Sequence, residues 1–540
     1  MAKAATAESR LESRSHGVLK NVFIGKASPT TGQADTRDSM SRPHALGLQR
    51  TSVIALMVLL LAGCAIIPAP TRSARVGGSD PLGGCADFFA SLDQRAADAQ
   101  VLDPGAFRVE GYPYLRVNRF LASFREEAGD KAAFGAWVGR MQVLDQEARK
   151  FEIANLPDAV RSTPGSANEK AELSAGVASC GNLLKAADFQ DSEQQAALRK
   201  KITVPDEYLT LPRVLGLYPL TSLFVSHGVS NWHAEAHKTF STEPPVGWQS
   251  IRYVPPKTGE LSDARQIVSP AKRDALGIPN YSSIDLGALF RMYAPVWEVQ
   301  TEAEYDRIGT PFLTSTGELD IDTRQPRTYT LLSFTRFDKE ILTQLNYIIW
   351  FPARPKEHAL DIYGGLLDGV NYRVTLGKNG EPLLYETIHN CGCYYEAYPT
   401  RRLKAREKID YPEPPLILNS PELTPSKELM TLAMESRTHY VQNLYPSARR
   451  PQPETTVYSL ADYGELRSLP DTKGGRKSMF SPDSLAPGSE RLERWILWPT
   501  GVVSPGAMRQ WGRHAVAFVG ERHFDDPFSM DKMFMENDSK

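Results

Sequence analysis

Three short segments of this 540-residue chain carry side chains whose types and spacing could do chemistry. The densest is His389-Asn390-Cys391-Gly392-Cys393. Two thiolates and an imidazole so close together can ligate a soft transition metal such as Cu(I) or Zn(II). The C-x-C spacing is shorter than the C-x-x-C of most zinc sites, and the pair can equally close a tight, reducible disulfide that pins the turn. Structural disulfide, metal centre and redox pair all stand open here, with Tyr394 and Tyr395 adjacent to shield whichever forms.

The second segment lies near the C-terminus: Arg513-His514, an apolar stretch Ala515 to Val519, then Arg522-His523-Phe524-Asp525-Asp526-Pro527. His514, His523, Asp525 and Asp526 can bind a hard cation or exchange protons. Alternatively Arg522 pairs with the aspartates and Asp526-Pro527 makes a turn. Convergence of His389, His514 and His523 on one pocket would make that pocket the leading site. The third segment is His227 with His233-Ala234-Glu235-Ala236-His237. Histidines at i and i+4 share a helix face, but Glu235 lies two residues from each and points away from it, so the chemistry of an H-E-x-x-H metalloprotease does not transfer. A solvated or packed helix is the expectation there.

Other catalytic signatures are missing. The sequence has no G-x-S-x-G, no P-loop and no G-x-G-x-x-G. Ser269-Pro270-Ala271-Lys272 and Lys257-Thr258-Gly259 imitate two penicillin-binding motifs, but in reversed order and with no S-x-N between them. No residue is thereby marked as catalytic.

The elements that must hold these segments fall into two styles. Helical periodicity runs through Cys85 to Ala99, Arg116 to Glu127, Lys131 to Leu156, Ala171 to Ala187 and Ser192 to Lys201, which predicts a helical subdomain over residues 85–204. Beyond Pro205, short apolar runs with period two predict strands at Tyr329 to Phe337, Leu345 to Phe351, Asn371 to Leu376, Pro382 to Ile388, Arg494 to Trp498 and Ala515 to Val519. Gly377-Lys378-Asn379-Gly380 between two of them is a hairpin turn. Arg401 to Pro425 and Asp462 to Gly488 read as long surface connections. The fold class is therefore α+β, helices first and then a mainly antiparallel sheet domain over 205–540.

The most apolar run, Ser52 to Ala62, is too short to cross a bilayer as a helix but fits the core of an export signal, with Arg42 and Arg50 upstream. The residues that follow it, Leu61-Ala62-Gly63-Cys64, resemble the lipobox of bacterial lipoproteins. That resemblance implies cleavage before Cys64 and acylation of its sulfur and amino group, which would anchor the chain at a membrane. Met40 then serves as the start of a signal over 40–63, and residues 1–39 read as a leader without a fold. Pro-, Gly- and Ser-rich residues 64–84 read as a flexible tether. Ala65 rather than Asp after the cysteine implies the outer rather than the inner membrane of a bacterial cell envelope, facing the periplasm.

An oxidising compartment would leave Cys85, Cys180, Cys391 and Cys393 to pair. An 85–180 bridge joining two helices is the expected one, with two buried thiols as the alternative. Residues 1–63 hold 8 Lys/Arg and 4 Asp/Glu, so the remainder carries 54 basic and 60 acidic groups. That balance offers no footprint for nucleic acid. The body resembles proteobacterial envelope lipoproteins that carry no assigned activity, so the resemblance supplies an address and no mechanism. The expected function is a lipid-anchored binding or scaffolding module with an envelope protein or small molecule as partner. The alternative is a lipid-anchored metal-dependent enzyme, or a metal or redox protein.

Overall fold

The computed structural model describes residues 80–157, 166–256, 263–449 and 455–537. The expected leader, signal, lipobox and most of the tether lie outside these residues. The last tether residues are already folded. Helix α1 (Pro81–Asp98) starts at the glycines because Asp80 caps it, its side chain accepting from Gly83 N, and Pro81 has the backbone angle of a first turn.

The N-terminal region is built on α1 and two further helices, α2 (Lys131–Asn155) and α3 (Ser166–Asp188), with α4 (Ser192–Lys201) after them. Phe89, Leu92, Trp137, Val138 and Met141 make its apolar core. The Cys85–Cys180 disulfide ties α1 to α3, closing a sequence separation of 95 residues. The region is not purely helical. Arg116 was expected to open a helix, but it lies in a strand of the hairpin β1 (Phe107–Val109) and β2 (Tyr112–Val117); only Arg119–Ala122 is helical in that stretch.

Ionic pairing explains the preference for a strand. Arg116 is fully buried and donates to Glu152 at 2.7 Å and Asp145 at 3.2 Å, while Arg149 donates to Asp93 and Asp145 at 2.8 Å each. A strand extends Arg116 into the carboxylates of Asp145 and Glu152 on α2. Burial opposes ionisation of Glu152, but the surrounding arginines outweigh it and hold the carboxyl well below its usual range.

A short helix, α5 (Thr210–Leu215), and the long α6 (Tyr218–Thr239) lead into the sheet region. Its larger sheet has seven strands. Five form an antiparallel meander: β5 (Arg327–Phe337), β6 (Glu340–Arg354), β7 (Gly365–Leu376), β8 (Pro382–His389) and β9 (Glu396–Pro399). A parallel strand flanks each edge, Leu416–Ile417 on β9 and Ser459–Asp462 on β5. The expected turn joins β7 to β8, Gly377 N donating to Glu381 O and Gly380 N to Gly377 O.

A five-stranded mixed sheet contains β3 (Ser250–Val254), β4 (Val296–Gln300) and the hairpin Glu428–Met434/Val441–Ala448. Trp297, Leu432 and Leu444 of this sheet share one core with Leu345, Tyr347, Ile349 and Phe351 of β6. The intervening Ile348 and Trp350 point the other way, into a second core with Leu466, Met479 and Phe480. The larger sheet is thus buried on both faces, and Asp462 to Gly488 helps cover one of them rather than running over the surface. The fold is α+β.

Two expected strands are absent. Arg494–Leu497 is one helical turn followed by a 3-10 turn at Trp498–Thr500. Ala515 to Val519 makes only an isolated bridge, Ala515 to His523, because side chains replace a partner strand. Tyr208 Oη binds the backbone of Ala517 and Arg522, and Glu413 accepts from Phe518 N and Val519 N.

Candidate functional site

Among the described residues, no three of His, Cys, Asp and Glu converge as metal ligands. Neither of the two sequence-derived metal sets is brought together there. Cys391 and Cys393 are free thiols rather than a disulfide. Gly392, at φ 95° between them, forms a turn in which His389 N donates to Cys393 O and Gly392 N to His389 O, and Cys393 N donates to Cys391 Sγ at 3.3 Å. The thiol pair shares its core with Trp350 and Met508, while the His389 ring belongs to a separate cluster.

The C-terminal set disperses into ordinary ion pairs. His523 meets Asp206 at 3.1 Å, Asp525 meets Arg119 at 3.2 Å and Asp526 meets Lys532 at 2.7 Å. His514 is buried, and that burial, reinforced by Arg509, pushes its imidazole down to about 3. The histidines of α6 follow the packed-helix expectation. His227 lies 3.2 Å from Asn231, Glu235 pairs with Lys238, and burial lowers His233 to about 4.

His389 instead joins a chain that sequence spacing did not suggest. It ends β8, cross-strand from Val370, and its Nδ1 lies 3.3 Å from Asp368 Oδ1 on β7. The other oxygen of Asp368 is 2.9 Å from Nδ1 of His439, whose Nε2 lies 3.3 Å from Asp306 Oδ1. This last contact is off the hydrogen-bond line and acts through charge. All four side chains are buried. His439 stacks flat on Phe351 at 3.9 Å, and Asp306 is held further by Ser436 Oγ, Arg437 N and Glu302 N.

Charge balance assigns the protons. Burial alone would discharge His439, but Asp306 and Asp368 on either side of the ring outweigh it and raise the imidazole. Burial likewise opposes the Asp368 anion, yet His389 and His439 hold it well below its normal range. For His389 the balance reverses: burial outweighs Asp368, and the imidazole is lowered. Ionised Asp368 can only accept, so neutral His389 carries its proton on Nδ1 and keeps a lone pair on Nε2.

His389 lines a crevice with Val370, Thr387, Tyr394, Glu396, Tyr440 and Val441, too narrow to hold a water molecule as it stands. Glu396 stands opposite Thr387 across the β8–β9 ladder and accepts from Thr387 Oγ1 at 3.1 Å and from Tyr398 Oη. Burial dominates those hydrogen bonds and pushes its carboxyl up to about 7. A neutral imidazole and a carboxyl poised near neutrality thus face one small volume. Tyr394, Tyr440 and Arg354 stand half-buried beside it, Arg354 donating to Tyr440 Oη at 3.3 Å, and Trp232 of α6 meets Tyr394 edge-on at 5.4 Å.

His389 was singled out by its sequence neighbours, whereas Asp306, Asp368, Glu396 and His439 were not. The signal available for Asp368 and Glu396 was a carboxylate inside an otherwise apolar strand, L-L-D-G-V and Y-Y-E-A-Y. Neither a protein-family model, a curated protein nor a solved structure matches this chain.

Proposed function

We propose that this is a lipid-anchored cell-envelope protein whose cleft carries out acid–base chemistry on a small ester or amide group. One observation carries the catalytic part: the buried Asp306–His439–Asp368 chain fixes neutral His389 at a cleft that also contains Glu396 near its protonation midpoint. Separating the proton affinities of two groups in one cleft is how a site obtains a base and an acid at the same pH. His389 Nε2 would take a proton from a water molecule as its oxygen adds to the carbonyl carbon. Glu396 would give its proton to the leaving oxygen or nitrogen, and return of the His389 proton to Glu396 would reset the pair.

The volume limits the substrate. As it stands the crevice has no room for a water molecule, so the side chains lining it must move aside before the reacting end of a small molecule can enter. Aromatic rings and Arg354 at its side suit an apolar or anionic remainder. The envelope address rests on the resemblance of Leu61-Ala62-Gly63-Cys64 to a lipobox.

The test is turnover of 4-nitrophenyl acetate by the full chain and by His389→Gln and Glu396→Gln. General acid–base groups typically contribute 10²- to 10⁴-fold, and each variant should lose activity in that range while remaining folded. Turnover that persists in His389→Gln, or is absent from the unaltered chain, would overturn the catalytic reading. Labelled palmitate retained by the chain and lost in Cys64→Ser tests the address separately.

A further inference from the structure

A second surface is unusually apolar. From Thr210 to Ser226 the chain forms α5 and the first turns of α6, and Arg213 is the only charged residue in that span. Arg213 is turned inward, donating to Thr500 O and Gly520 O at 2.7 Å each and pairing with Glu521. The apolar side chains face outward: Leu211, Val214, Leu220, Leu223 and Phe224 are each 60–67 % exposed. Leu217, between the two helices, is as exposed as these and holds a left-handed backbone at φ 48°, a conformation unfavourable for a bulky residue. The turn Trp498–Thr500 packs against both helices, and with Trp495 it adds two more exposed rings. Contiguous apolar patches of this kind mark a contact surface.

We propose that this face docks onto a lipid bilayer. The proposal rests on the reading of Cys64 as lipidated, which supplies the bilayer. Only fifteen residues lie between Cys64 and Asp80, where the described body begins. Such a leash reaches at most about 55 Å, and a body of this size has a radius of gyration of about 23 Å. All faces but those nearly opposite Asp80 are therefore within reach of the membrane, and tethering raises the local concentration of lipid at each. The chemistry selects this face. Inserting it moves no free charge out of water, its leucines and Phe224 match acyl chains, and tryptophans at its margin match the headgroup layer. Arg494, stacked over Trp495 at 4.8 Å, sits where anionic headgroups would meet it.

No described helix is long and apolar enough to cross a membrane, so the face lies on the bilayer rather than spanning it. Trp232, beside the cleft, follows Phe224 by eight residues on the same helix, about 12 Å along the axis. A docked face thus holds the cleft near the headgroup layer.

Hydrogen exchange tests this with the lipidated full chain on phosphatidylcholine–phosphatidylglycerol vesicles, compared with the Cys64→Ser chain in solution. Amides of residues 210–226 should exchange at least tenfold more slowly on vesicles, and Trp fluorescence should be quenched by brominated acyl chains. Both effects should vanish in a lipidated L220D/F224D variant, which stays vesicle-bound through its anchor and keeps its circular dichroism. Unchanged exchange of 210–226 on vesicles would overturn the proposal. So would protection already present in the Cys64→Ser chain together with a doubled mass by light scattering, which assigns the face to a second copy. Failure of Cys64 to incorporate palmitate would refute the anchor alone, and the face is then read from the same rates with vesicles added to the unlipidated chain.

Discussion

Glutamine at position 396 keeps the size of the side chain and its ability to accept from Tyr398 and Thr387, but it cannot ionise. In the folded protein the Glu396 carboxyl titrates at about 7, against 4.5 for an ordinary glutamate. Below pH 4.5 the carboxyl is protonated in folded and unfolded chains alike, and its titration contributes no difference. Between 4.5 and 7 the folded state keeps a proton that the unfolded state releases, so stability falls by about 1.4 kcal/mol per pH unit. Above 7 both states are ionised and the loss is complete, about 3 kcal/mol in all. Glu493 is also raised to about 7 by burial, but it is present in both proteins and cancels in their difference. Urea unfolding at pH 4.5, 6 and 8, followed by fluorescence of the sheet tryptophans, should show Glu396→Gln gaining about 3 kcal/mol on the unaltered protein across that range. A difference that stays constant within about 0.5 kcal/mol would refute the raised carboxyl and the proton donor assigned to it.

Three further outcomes follow from packing. Cys85→Ser/Cys180→Ser should lose about 4 kcal/mol by thermal unfolding, because the bridge closes 95 residues. Gly392→Ala should cost more than about 2 kcal/mol in urea unfolding, since its Cβ would sit 2.5 Å from Ala515 O on a backbone at φ 95°. Arg149→Met should cost about 3–5 kcal/mol by calorimetry, because Asp93 and Asp145 lose a buried cation, and more salt should not restore it.

Much of the framework was legible because local rules acted alone. Ser192–Lys201 has a capping box at Asp191 and Gln194, and its predicted bounds match the helix. The Gly377–Gly380 turn fixed the β7–β8 pairing, and the 85–180 bridge joined two helices with clear apolar faces. Errors arose where distant groups overrode local pattern. Arg116 took a strand to reach Glu152, and Ala515 to Val519 lost its strand to Tyr208 and Glu413. The site illustrates the same limit. His389 stood out beside two cysteines, but its working partners come from Asp368, His439 and Asp306, each on a different element and marked by no spacing. Their association is a product of sheet register and of the turn carrying His439 at φ 55°.

The central claim is that burial keeps His389 neutral while Asp368 fixes its proton on Nδ1 and leaves Nε2 with a lone pair. Long-range nitrogen–proton correlation spectra of the histidine rings at pH 7, assigned with His389→Gln and His439→Gln, measure this directly. The account predicts a neutral Nδ1–H tautomer for His389 beside a doubly protonated His439. A cationic His389, or one protonated on Nε2, would contradict it.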